Sequence, residues 1–96
     1  MPLFVAEHEH APDRCPAGNP KMAPFLLQIL SKDNAQKQGL RIEADAVIRG
    51  KHHLVVVVEG PSEEAVRAYL APFALAGSLT VAPASNCEEV VARGAC

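Results

Sequence analysis

Five consecutive apolar residues, Leu54-Val55-Val56-Val57-Val58, constrain this 96-residue chain more than any other stretch. Adjacent valines lose side-chain freedom in a helix and pack well on a pleated surface. A run with no polar face suits a strand covered on both sides. It is therefore read as the core of a central strand that begins at His52-His53 and ends at Glu59. A chain of this length makes one domain, here residues 1–96 with a short C-terminal helix at about 86–93. Such a domain buries roughly 60–65% of its unfolded surface, and a second copy over an open sheet face would extend that core. Aromatic residues are 4% of the total and Trp is absent, so the interior must be built mostly from Val, Leu, Ile and Ala.

The other elements fall around that strand. Residues 3 to 10 pass from an apolar start into alternation, with Glu7 and Glu9 on one side and His8 and His10 on the other. Residues 11 to 20 hold three prolines and a glycine and form a loop. Met22, Phe25, Leu26, Ile29 and Leu30 recur at helical spacing, with Pro24 in or near the first turn. Ser31 is placed to cap a second short helix over 32–38, which Gly39 ends. From Leu40 to Arg49 the chain alternates: Leu40, Ile42, Ala44, Ala46 and Ile48 on one side, Arg41, Glu43, Asp45, Val47 and Arg49 on the other. Gly50-Lys51 turns it back as a hairpin. Gly60-Pro61-Ser62-Glu63-Glu64 opens a helix whose stripe is Val66, Tyr69, Leu70 and Phe73, closed by Pro72 and Gly77. A fourth strand spans 78–83 with Leu79 and Val81 inward, and a last helix runs from a Ser85 or Asn86 cap to Gly94.

The order β-α-β-β-α-β is the split βαβ of the α+β, ferredoxin-like class. The second strand pairs with the third and the fourth with the first, and the helices cover one face of the four-stranded sheet. Right-handed crossovers are expected to leave the first and third strands side by side and parallel.

That pattern resembles the dimeric α/β-barrel branch of ferredoxin-like proteins, in which two protomers press their sheets together around a cavity. The branch includes antibiotic-biosynthesis-type monooxygenases, small stress-response proteins and a small nickel-binding family. Pro2-Leu3-Phe4-Val5-Ala6-Glu7 and Glu59-Gly60-Pro61-Ser62-Glu63-Glu64-Ala65-Val66 are similar to the nickel-binding and related small families. The resemblance implies a homodimer or higher homo-oligomer. Neither segment carries chemistry, and fold does not fix function.

Charge and hydropathy narrow the partners. A net charge of -2 with dispersed basic residues argues against nucleic acid. No run approaches the ~20 apolar residues of a membrane span, and the N-terminus lacks the basic start and long apolar run of a signal peptide. A cytoplasmic protein with no membrane partner is expected. Three cysteines, an odd count, then read as thiols or ligands rather than a disulfide framework.

The chemistry-bearing residues cluster early. His8 and His10 stand two apart on a strand, so their rings leave one face with Cα atoms roughly 6.6 Å apart. Cys15 follows in the loop. Two imidazole nitrogens and a thiolate suit Zn, Ni or Cu and leave a position for water or another ligand. With parallel central strands, Glu43 or Glu59 would lie at the same end and complete or orient the set. Cys87 and Cys96 flank the last helix. They would join a shared site only if the tail travelled back along the sheet or crossed a dimer interface. The ordinary alternative makes His8 and His10 exposed strand-end residues and the two late cysteines a half-buried and a free tail thiol. His52-His53 point to opposite faces and read as hairpin-end residues far from His8. Glu43 and Asp45 share a face, as exposed carboxylates commonly do.

Three functions compete. The first is a metal-binding protein with His8, His10 and Cys15 as ligands to a transition metal ion. The second is a cofactor-free oxygenase or isomerase working in a dimer cavity with His8 or His10 as base. The third is a non-catalytic, self-associating module. No Ser-His-Asp arrangement, phosphate loop or dinucleotide fingerprint is present.

Overall fold

The computed structural model describes residues 1–96. The first βαβ half is β1 (Leu3–Glu9), a loop containing two short 3₁₀ turns, α1 (Ala23–Ile29), α2 (Lys32–Lys37) and β2 (Arg41–Val47). The second is β3 (His53–Glu59), α3 (Glu63–Tyr69), α4 (Ala71–Ala76) and β4 (Ser78–Ala84), followed by α5 (Cys87–Arg93). The strands form one sheet in the order β2-β3-β1-β4. The fold is α+β and ferredoxin-like, as the element order implies. No helix is long and apolar enough to cross a membrane.

The two central strands run antiparallel, with Leu3 opposite Glu59 and Glu9 opposite His53. This corrects the expectation of a parallel pair. A helical crossover returns β2 parallel to β1, and the tight β2–β3 hairpin then reverses the chain. β3 must therefore oppose both neighbours.

Alternation along the central strands divides the sheet into two faces. Phe4, Ala6 and His8 of β1 and Leu54, Val56 and Val58 of β3 are buried on the helix-covered face. Val66, Tyr69, Leu70 and Phe73 meet them from α3 and α4, with Ala35, Leu40 and Val81 closing the core. Each fully buried Val or Leu in such a set contributes about 1.5–3 kcal/mol. Leu26, Ile29 and Leu30 pack against this core from the first helical region, while Met22 and Phe25 of the same stripe stay exposed.

Both helical regions are broken. Ser31 accepts a hydrogen bond from the Asn34 amide and starts α2, so the expected two-piece helix is present. Pro72 breaks the other, because it lacks an N–H and clashes with the preceding turn. The chain does not stop there as expected: α4 resumes at Ala71 with Pro72 in its first turn and carries Phe73 into the core. Asn86 caps α5 through the Glu89 amide, and Gly94 ends it in the left-handed region.

β2 contains a bulge. Ile42 pairs with Val58, but Ala44 pairs with Val57, so Glu43 is the extra residue. One inserted residue exchanges the faces of everything after it. Asp45 and Val47 therefore lie on the helix-covered side, and Ala44 and Ala46 on the open side, the reverse of strict alternation from Leu40.

Candidate metal centre

The centre forms where the C-terminal end of β1 meets the N-terminal end of β3. The ladder between them continues one step past both strands, through a bond from the His10 amide to the His52 carbonyl. His8 and His10 keep one face by alternation, and His52, paired with His10, shares it. Cys15 approaches from the loop. It sits between the turns Pro12–Arg14 and Pro16–Gly18 in an extended conformation. That conformation is the one favoured for a residue preceding proline. Its own amide bonds back to Pro12 and its carbonyl accepts from Gly18, which ties the loop down on both sides of the thiol.

One donor atom from each of His10, Cys15 and His52 lies within 4.8 Å of the others, and all three side chains are half-buried. His52 Nδ1 and His10 Nε2 are 3.2 Å apart. Ligand atoms around a tetrahedral Zn²⁺ stand about 3.3–3.6 Å from one another, given its bond lengths to nitrogen and sulfur. The imidazole pair already stands near that separation, and the thiol lies within 4.8 Å of both.

His8 stands behind this trio, only 2% exposed. Its Nδ1 lies 2.8 Å from the Ser78 carbonyl and its Nε2 lies 3.0 Å from His10 Nδ1. A carbonyl can only accept, so His8 Nδ1 donates to Ser78. A neutral His8 then accepts at Nε2, and His10 donates its Nδ1–H. This leaves the His10 Nε2 lone pair facing His52. The ring of Phe73 in α4 packs on His8 at a centroid distance of 5.0 Å. Burial, then the charges of His8 and His52, hold the His10 pKa below its ordinary value. His10 thus keeps its lone pair free in more acidic solution than an ordinary histidine.

A cavity of about 150 Å³ opens beside the cluster. His10, Cys15 and His52 line it together with Leu26, Val47, Leu54 and Phe73. Lys51 is also in its wall, and no acidic residue is.

Of the residues singled out by sequence, the structure brings His10 and Cys15 together and places His8 against His10. Glu43 and Glu59 stand at the other end of the sheet. Glu59 is opposite Leu3 and Arg41, and Glu43 pairs with Arg41 at 3.0 Å. Their expected position beside His8 depended on parallel central strands. Cys87 and Cys96 are exposed and free, and β4 ends opposite Leu3, so α5 starts at the end remote from His10. His52 was assigned to the far end and instead joins the cluster. Antiparallel pairing of β1 with β3 is the signal that would have found it. His53 points to the open face, where its two ring nitrogens meet Glu7 at 3.2 Å and Glu9 at 2.9 Å.

No family model matches this chain, and no curated protein matches it. Among solved structures it is similar to one described as an antibiotic biosynthesis monooxygenase, with a TM-score of 0.57 and 15% identity. The alignment covers 90% of this chain and 98% of that one. At such identity the likeness establishes a shared fold, not shared chemistry.

Proposed function

We propose that this ferredoxin-like chain binds a transition metal ion through His10, Cys15 and His52. The observation that carries the reading is the convergence of their three donor atoms within 4.8 Å. Two imidazoles and a thiolate suit Zn, Ni or Cu. The likeness to a nickel-binding family rests on two short segments without ligands, so it gives nickel no precedence. His8 serves from behind, holding His10 Nδ1 as carboxylates and carbonyls do for metal-bound histidines elsewhere. Binding displaces the Cys15 proton and draws His10 and His52 onto one ion.

Chelator-stripped protein titrated with Zn, Ni or Cu tests this. One equivalent is expected to bind and raise the melting temperature, because an ion held only by the folded chain stabilises it by mass action. Cys15→Ser and His52→Ala are expected to lose that response. Absence of bound metal on elemental analysis, with an unmoved melting temperature, rejects the reading.

One observation favours a second reading. The His10 lone pair borders an apolar cavity, as a general base in a cofactor-free oxygenase or isomerase would. Metal-free turnover abolished by His10→Gln but not by Cys15→Ser would select it. In either case we infer a homodimer closed over the open sheet face as an α/β barrel.

A further inference from the structure

We propose that the ion at His10, Cys15 and His52 completes its coordination with a small organic carboxylate whose single ring fills the adjoining cavity. The inference rests on the metal reading and deepens it. Three protein ligands leave a tetrahedral ion one open position. A divalent ion with one thiolate and two neutral imidazoles keeps a net positive charge. Lys51 adds another at the same wall, and no Asp or Glu in the lining offsets either. The missing ligand is therefore anionic.

The cavity sets its body. Leu26, Val47, Leu54 and Phe73 form an apolar wall around about 150 Å³. A hydrocarbon-lined space of about that volume admits a benzene ring in another protein. A ring lying among those side chains would direct its carboxylate toward the three donors and Lys51. One carboxylate oxygen would take the open position on the ion, and the second would face the Lys51 ammonium. No electron is transferred, and the carboxylate offsets one of the two positive charges that the ion and Lys51 leave at the site.

Cobalt(II) makes this visible, since its bands report thiolate ligation and coordination number. Chelator-stripped protein is loaded with Co²⁺ and titrated with benzoate, with acetate as the ringless control and benzamide as the uncharged one. Benzoate is expected to shift the d–d bands and to bind at least about tenfold more tightly than acetate, because the ring leaves water. Benzamide should leave the bands in place. Lys51→Met should weaken benzoate several-fold. Val47→Trp, at an exposed edge-strand position, should fill the cavity and abolish the shift while the thiolate band persists. A persistent thiolate band with no response to millimolar benzoate, or equal binding of benzoate and acetate, overturns the ligand proposal alone. Absence of any thiolate-to-cobalt band overturns the metal reading and the ligand proposal together.

Discussion

At the scale of single residues, His8 shows how a buried polar side chain can serve a site it does not enter. Its ring links a backbone carbonyl to His10 and leaves no buried donor or acceptor without a partner. His8→Leu strands both the Ser78 carbonyl and His10 Nδ1. It should cost about 1–3 kcal/mol of stability and lower metal affinity about 10–100-fold, measured by competition with a chromophoric chelator. His8→Gln, whose amide can donate to Ser78 and accept from His10, should recover part of the affinity. Unaltered affinity in His8→Leu would remove His8 from the centre. His10 gives a pH signature. Its folded pKa is lowered by burial and then by His8 and His52, so the unfolded chain takes up this proton first as pH falls. Stability is full above about 6.5, the unfolded value, and is lost as pH falls toward the folded value. Melting curves of metal-free protein should decline across that window, and His10→Gln should flatten the decline.

At the scale of elements, the end of β1 is held in place by Gly77. A Cβ there would overlap the Glu9 carbonyl oxygen and stand 3.0 Å from His10 Cα, both parts of the backbone that carries the His10 side chain. Gly77→Ala must push that backbone aside, at about 1–3 kcal/mol in urea unfolding, and should weaken metal binding with it. Gly60→Ala is the contrasting case, because its Cβ would meet mainly the movable end of Leu40. Equal loss of metal affinity in both variants would show that Gly77 does not position His10. Elements of this kind were legible where local chemistry decides them. Ser31, the Ser85-Asn86 pair and Gly94 marked helix ends, and alternation put His8 and His10 on one face. Two features were not legible. The Glu43 bulge leaves no mark in composition, since Ala44 and Asp45 satisfy either register. The sense of β3 against β1 follows from connection geometry, and taking it as parallel sent His52 to the wrong end and brought Glu43 and Glu59 to the right one. The candidate site was thus half visible: His10 and Cys15 came from spacing, and His52 needed the sheet.

At the scale of the whole molecule, the chain is more spread out than its mass warrants. Its accessible surface is 6440 Å², against about 5,300 Å² expected for a monomer of this mass. Its radius of gyration is 14.1 Å, against about 12.5 Å for a compact domain of this length. One face of the sheet is left without a covering layer. Val5, Val55 and Val57 lie half-covered at its centre, with Ala44 and Ala46 of the bulged strand beside them. Covering roughly 800 Å² on each copy is what a stable pair of protomers needs, less than the surplus of about 1,100 Å². A two-fold pairing over this face would bring Val57 of each protomer toward one apolar seam. Val57→Lys should therefore split a dimer into monomers in sedimentation velocity runs, since it puts a charge from each copy among the valines at the centre of the seam. The three donors lie on the opposite face, so the variant should still take up one metal per chain. A parent protein that sediments as a monomer at micromolar concentration would sink the pairing and leave the centre standing. Loss of metal together with the dimer would show that the two faces are coupled through β1 and β3.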